Sequence, residues 1–190
     1  MSGPVDNGAV VIGASAGAIQ ALSRILPALP PGYTLPVLVV VHIPPGRRNE
    51  LEMLFAGKCQ LPVHEAEDKE PIAPGTVYFA PPDYHMLVER GGTISLSTDE
   101  QVHFSRPAID VLFESAADAY GPALTGIILT GANDDGAAGL AAIARAGGAV
   151  LVQDPASAYA PAMPEAAIQL CPTARVLSLD AIVERLLKVG

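Results

Sequence analysis

Short apolar runs rich in Val and Ile recur along the chain, and two of them are continuous rather than alternating. Continuous runs are typical of strands buried on both faces. The pattern predicts five strands, at residues 9–12, 37–41, 76–80, 126–129 and 149–152. Helix-compatible stretches lie between them, at about 17–28, 47–57, 107–119, 136–146 and 163–169. This alternation predicts an α/β fold with a mostly parallel sheet.

One segment, VYFAPPDYHMLVERGGTISLS, interrupts this alternation. Gly91 and Gly92 stand between two alternating runs, which predicts a β-hairpin and therefore an antiparallel excursion. The chain shows no internal repeat, low-complexity tract or long linker. Residues 1–190 are therefore predicted to form a single domain.

Composition narrows the classes of function. Half of the 190 residues are hydrophobic, which is enough for one sizeable core. The formal net charge of −9 leaves little attraction for phosphates, so nucleic acid is excluded as a partner. The strongest apolar run, LPVLVVVHI, is too short to insert into a membrane. The N-terminus lacks the basic residues of a secretory signal, so we expect a cytoplasmic protein.

The glycine-rich stretch AVVIGASAGAIQAL, residues 9–22, is a poor match to a nucleotide-binding turn. A dinucleotide site needs G-x-G-x-x-G, but Ser15 and Ala18 occupy the second and third glycine positions. No acidic residue lies between Asp6 and Glu50 to hold a ribose, and no Walker sequence follows. Nucleotide binding is therefore the weakest hypothesis.

The same stretch does match G-x-S-x-G, through Gly13, Ser15 and Gly17. In that motif a serine stands on a sharp strand-to-helix turn with its hydroxyl exposed. A serine at this place also commonly caps the following helix. The motif therefore leaves two alternatives open, a nucleophile and a helix cap.

Two further strand ends offer partners for a nucleophilic serine. His42 follows the run VLVVV, at the sheet edge where active sites of α/β folds gather, and is a candidate general base. Asp134 and Asp135 follow a third strand and are candidate carboxylates, although acids at a helix start are also ordinary. The other histidines and the cysteines match no metal spacing, so no metal site is predicted: His64, His85, His103, Cys59 and Cys171.

These segments together resemble the catalytic domain of the chemotaxis protein-glutamate methylesterases, over nearly the whole chain. The matching segments are VVIGASAGAIQAL, VVVHIPP, PGTVYFAPPDYHM, SRPAIDVLFESAA, ILTGANDDGAAGL and GGAVLVQDPASAYAPAMPEAAI. The resemblance implies a doubly wound α/β fold. It also implies Ser15 as nucleophile, His42 as general base and Asp135 as the orienting carboxylate, with Asp134 as a neighbour.

The family resemblance further implies hydrolysis of glutamate γ-methyl esters on the cytoplasmic helices of chemoreceptors, with no cofactor. The oxyanion would be held by a backbone N–H, of Ala16 or of Ala132. Deamidation of receptor glutamines is a related activity, because the same acyl-enzyme can form by losing ammonia. A non-catalytic signalling module that binds receptors or partner proteins is the alternative from another class.

The chain departs from the usual family pattern at two turns. It has Ser-Ala-Gly-Ala at 15–18 where the family usually has Ser-Thr-Gly-Gly, and Thr-Gly-Ala-Asn at 130–133 where the family has Thr-Gly-Met-Gly. The serine turn begins thirteen residues in, so we expect a catalytic domain without the usual receiver domain. Control would then come from a separate regulatory protein or from a gene-level arrangement, or there would be none. Arg47 and Arg106 are candidate substrate-proximal residues, and Arg48 adds to a positive patch with Arg47.

Overall fold

The computed structural model of the protein describes residues 8–42 and 50–190. Its strands are β1 (Ala9–Ala14), β2 (Val37–Val41), β3 (Val63–Glu65), β4 (Val77–Phe79), β5 (His85–Val88), β6 (Ile94–Ser97), β7 (Leu124–Ile128), β8 (Ala149–Gln153) and β9 (Arg175–Leu177). Its α-helices are α1 (Ala18–Ile25), α2 (Leu51–Ala56), α3 (Ile109–Tyr120), α4 (Ala137–Arg145), α5 (Ala162–Leu170) and α6 (Leu179–Leu186). No helix in these two described ranges is long and apolar enough to cross a membrane.

Seven strands form one parallel sheet in the order β3-β4-β2-β1-β7-β8-β9. From the central strand β1 the chain first builds one half of the sheet, in which β4 lies between β2 and the edge strand β3. It then builds the other half outward through β7, β8 and β9. The predicted doubly wound α/β architecture is therefore confirmed. In such sheets the crevice at the carboxyl ends of the central strands is the usual site for ligands.

Alternate residues of the central strand β1 enter two separate cores. Val10 and Ile12 pack with residues of α1, α2 and α6, whereas Ala9 and Val11 pack with residues of α3, α4 and α5. Helices therefore cover both faces of the sheet. This explains why the central strands have continuous apolar sequences, since neither face of the strand meets water.

The predicted hairpin is also confirmed. Strands β5 and β6 pair antiparallel, with Val88 opposite Ile94, and Gly92 takes a positive φ of 77° in the turn between them. The hydrophobic pattern does not predict β3, β9 or α6. The two strands are three-residue edge strands with exposed positions, so they lack the continuous apolar pattern of the central strands.

Candidate active site

The sheet register places Ser15 and His42 next to each other. Ala14 and Val41 are paired in register on β1 and β2, and each candidate residue directly follows its strand. The backbone N–H of His42 donates to the carbonyl of Ala14 at 3.2 Å. On the other side, the N–H of Ser15 donates to the carbonyl of Thr130 at 2.9 Å. Because parallel neighbours lie about 4.8 Å apart, Ser15 stands between two other strand ends.

The glycines of G-x-S-x-G are required by close packing around the serine. A Cβ on Gly13 would lie 2.4 Å from Ile109 Cγ2, so α3 approaches β1 closely only because this side chain is absent. Gly17 takes a φ of 84°, and a Cβ there would lie 2.6 Å from the Cβ of Tyr159. Gly17 is also the N-cap residue of α1, which has no side-chain cap. The helix-cap alternative for Ser15 is therefore not what the structure shows.

The Asp135 carboxylate is fully buried and accepts three hydrogen bonds. Its Oδ2 lies 2.7 Å from His42 Nε2 and accepts from the backbone N–H of Ile109 at 2.7 Å. Its Oδ1 accepts from the N–H of Asp110 at 3.0 Å. These two N–H groups lie in the first turn of α3, where backbone donors have no carbonyl partner within the helix. The helix dipole also favours a negative charge at this position. The start of α3 thus holds Asp135 fixed against the histidine.

Asp134 occupies a different environment from Asp135. Its side chain is exposed, and its Oδ1 lies 3.4 Å from His103 Nδ1 rather than near His42. Of the two adjacent acids, the structure therefore brings Asp135 to His42 and leaves Asp134 beside the pair.

Two residues that sequence reasoning did not single out also contact the site. Asn133 Nδ2 lies 3.4 Å from His42 Nδ1, and Asn133 Oδ1 accepts from the N–H of Asp135 at 3.1 Å. An asparagine that bonds to the backbone two residues later is a common turn former, and this spacing was the available signal. The buried Thr130 hydroxyl donates to the carbonyl of Ala16 at 2.8 Å and accepts from the N–H of Ala160 at 2.8 Å. Thr130 thereby anchors the serine turn.

A second histidine–aspartate pair, His103 and Asp110, lies next to the first at the start of α3. His103 Nε2 is 3.0 Å from Asp110 Oδ2, and Asp110 Oδ1 accepts from the N–H of Gly139 at 2.7 Å. Burial raises the pKa of the Asp110 carboxyl, and the negative charge of Asp135 acts in the same direction, while the Gly139 hydrogen bond opposes both. Ligand atoms of His103, Asp110 and Asp135 lie within 4.8 Å of one another. Each carboxylate oxygen there already accepts a hydrogen bond, so a cation would have to displace these contacts.

The remaining predicted site residues are the two oxyanion-hole candidates and the arginines. Within residues 8–42 and 50–190, the backbone N–H groups of Ala16 and Ala132 donate to no other group. Arg106 Nη1 donates to the carbonyls of Thr98 at 2.9 Å and Asp99 at 3.0 Å, within its own segment. Arg47 and Arg48 lie outside the described residues.

His85 is a structural histidine of the hairpin. Its Nδ1 accepts from the N–H of Ala108 at 3.1 Å, and its Nε2 donates to the carbonyl of Glu100 at 2.9 Å. The side chain is buried and both ring nitrogens are used, so His85 has no free group for chemistry.

Comparison with known proteins identifies the family. Residues 10–186 match the family described as CheB methylesterase. The chain belongs to the CheB methylesterase family. The structure superposes on the crystal structure of the Thermotoga maritima CheB methylesterase catalytic domain with a TM-score of 0.93 and 34% sequence identity. That match covers 98% of this chain and all of the other.

Curated proteins agree with this assignment. A provisionally named protein-glutamate methylesterase/protein-glutamine glutaminase of Leptospira interrogans is 46% identical over 181 residues, covering 95% of this chain and 94% of that protein. Protein-glutamate methylesterase/protein-glutamine glutaminase 2 of Caulobacter vibrioides is 38% identical over 185 residues. The chain spans about half the length of this second relative, 53%.

Proposed function

We propose that this chain is a serine esterase that hydrolyses glutamate γ-methyl esters on the cytoplasmic helices of chemoreceptors. Ser15 is the nucleophile, His42 the general base and Asp135 the carboxylate that orients it. The observation that carries the proposal is the contact of His42 Nε2 with the buried Asp135 carboxylate at 2.7 Å, beside the half-buried serine turn. The methylesterase names of the relatives support the substrate class.

The contacts of His42 support one order of proton transfers in this proposal. Nε2 of His42 donates to Asp135, so Nδ1 is the nitrogen that takes the proton of Ser15 Oγ as the oxygen attacks the ester carbonyl. His42 then gives this proton to the departing methoxide, which leaves as methanol. A water molecule, deprotonated by the same nitrogen, hydrolyses the acyl-enzyme and releases the glutamate side chain. Asp135 remains ionised and stabilises the transient imidazolium.

The oxyanion that forms in each step needs preorganised donors. Among the described residues, the backbone N–H groups of Ala16, which follows Ser15, and of Ala132, which precedes Asn133, donate to no other group, and we assign them this purpose. Backbone donors of this kind stabilise the transition state and contribute on the order of a hundredfold or more in rate.

The surface around the site suits a helical protein substrate. The ring of Phe104 is 97% exposed and directly follows His103, and the exposed Tyr159 packs against Gly17 of the serine turn. These two exposed aromatic side chains, one next to the His103–Asp110 pair and one at the serine turn, offer apolar contacts to a docked helix. The predicted role of Arg47 and Arg48 in drawing an acidic helix face toward the site stays part of this proposal, as does the prediction that Arg47 and Arg106 lie near the substrate.

Glutamine deamidation is a second candidate activity. The relatives carry the double name methylesterase/glutaminase, and an amide carbonyl forms the same acyl-enzyme with loss of ammonia. The same residues would perform both reactions, with His42 protonating the leaving amine instead of methoxide.

Methanol release from a methylated chemoreceptor cytoplasmic fragment tests the proposal. Wild-type protein should release methanol, and Ser15→Ala should reduce the rate by at least about a thousandfold because the nucleophile is lost. Ser23→Ala is the matched control, since Ser23 lies on α1 and contacts Lys58 instead of the site. Equal rates for wild type and Ser15→Ala, with both proteins folded, would favour a non-catalytic binding module.

A further inference from the structure

Asn133 contacts both members of the His42–Asp135 pair, and the mechanism above gives it no role. Its Oδ1 accepts from the backbone N–H of Asp135 at 3.1 Å, and its Nδ2 lies 3.4 Å from His42 Nδ1. A backbone N–H can only donate, so the Asp135 contact establishes which end of the amide is oxygen. The amide nitrogen therefore faces the histidine ring.

This orientation specifies the tautomer of His42. An amide nitrogen offers only donors, so Nδ1 of the ring presents its lone pair to Asn133. The ring proton then lies on Nε2, where it points at Asp135 Oδ2. Nδ1 is consequently the basic nitrogen, and the Asn133 amide already donates to its lone pair.

We propose that Asn133 is a positioning residue that caps the basic nitrogen of His42 until substrate docks. This inference rests on the proposed function, because it needs Ser15 and His42 to be the reacting groups. An imidazole nitrogen has one lone pair, so the Ser15 hydroxyl and the Asn133 amide compete for it. Within the described ranges the Ser15 hydroxyl makes no hydrogen bond, which fits a resting state in which the cap is in place. At 3.4 Å the Asn133 contact is long and readily displaced.

Labelling by a fluorophosphonate probe measures the cap without a receptor. Ser15 Oγ forms a bond to phosphorus, the phosphorus–fluorine bond breaks and fluoride leaves. The hydroxyl proton passes to His42 Nδ1 and then to solvent. The second-order rate constant of labelling therefore reports how readily Nδ1 accepts a proton in the resting protein.

Two substitutions at position 133 have opposite expected effects. Asn133→Gly removes the donor, and labelling of Ser15 should become about two- to tenfold faster although the loop loses a hydrogen bond. Asn133→Asp keeps an acceptor for the N–H of Asp135 but turns an oxygen toward Nδ1. That oxygen favours a proton on Nδ1, so labelling should become at least about tenfold slower.

Asp154→Ala is the matched control for loss of the turn contact. Asp154 Oδ1 accepts from the N–H of Ala156, two residues later, at 2.9 Å, and this exposed contact involves no histidine. Its removal should lower the melting temperature slightly and leave labelling unchanged. A purely structural Asn133 would give slower labelling for Asn133→Gly and wild-type labelling for Asn133→Asp, which overturns the proposal. Absence of labelling at Ser15 in both wild type and Asn133→Gly would instead overturn the proposed function and the cap with it.

Discussion

The two histidine–aspartate pairs at the start of α3 have similar internal geometry but different surroundings. In each pair the histidine Nε2 contacts an aspartate Oδ2, at 2.7 Å for His42–Asp135 and 3.0 Å for His103–Asp110. In each pair the second carboxylate oxygen accepts a backbone N–H. The His42 and Asp135 side chains are 12% and 0% exposed, whereas those of His103 and Asp110 are 38% and 7% exposed.

The partner of the second ring nitrogen separates the pairs further. His42 Nδ1 faces the amide nitrogen of Asn133, which can only donate, so the ring presents a lone pair at this nitrogen. His103 Nδ1 faces the Asp134 carboxylate, so both nitrogens of this ring face carboxylates, which are acceptors. Under the proposed mechanism, a histidine–aspartate contact alone does not make a general base. The two pairs differ in the group at the other ring nitrogen and in whether a serine lies in register with the histidine.

The largest expected difference between the pairs is in catalysis. Asp135→Asn should lower kcat for methanol release by about a thousand- to ten-thousandfold, because the ring loses the carboxylate that orients and stabilises it. Asp110→Asn should lower kcat by less than about tenfold, since its side chain can still accept from the N–H of Gly139. Steady-state kinetics on a methylated receptor fragment compares the two. Losses of similar size would mean that the pairs act as one unit.

A smaller effect is expected for the second pair, in the way that the stability of the folded protein depends on pH. Burial raises the folded-state pKa of Asp110 above its ordinary value of 3.8, so ionised Asp110 costs the folded state free energy. Asp110→Asn should therefore melt at a higher temperature than wild type at neutral pH, by about 2–4 °C for each 1 kcal/mol removed. This difference in melting temperature between Asp110→Asn and wild type should narrow as pH falls through the raised pKa toward 3.8, because wild-type Asp110 is then neutral as well. Thermal melts from neutral pH to about pH 4 measure it, and a difference that widened on acidification would contradict the assignment.

The sequence predicts the central part of the fold because burial leaves a direct pattern there. Strands β1, β2, β7 and β8 lie between two helical layers, so nearly all of their positions are apolar. The hairpin is marked by Gly91 and Gly92 at the turn. The edge strands β3 and β9 escape prediction because exposed positions such as His64 and Arg175 remove the pattern on which the prediction depends.

The candidate site is predictable only in part. Strand ends indicate Ser15 and His42, since both directly follow buried runs. Hydrophobic periodicity leaves the choice between Asp134 and Asp135 open, because it does not report which loop carboxylate points into the start of α3. The family resemblance is what names Asp135. The Asn133 contact depends in turn on that choice, because its amide is oriented by the N–H of Asp135.

The most direct test of the central claim is a double-mutant cycle in methanol release. Rates for Ser15→Ala, His42→Ala and the double variant are compared with wild type on one methylated receptor fragment. If the serine and the histidine act as one unit, the double variant should be no more than about threefold slower than either single variant, because either loss already disables the unit. If the rate losses of the two single variants instead multiply in the double variant, Ser15 and His42 contribute independently, which would contradict the proposed site.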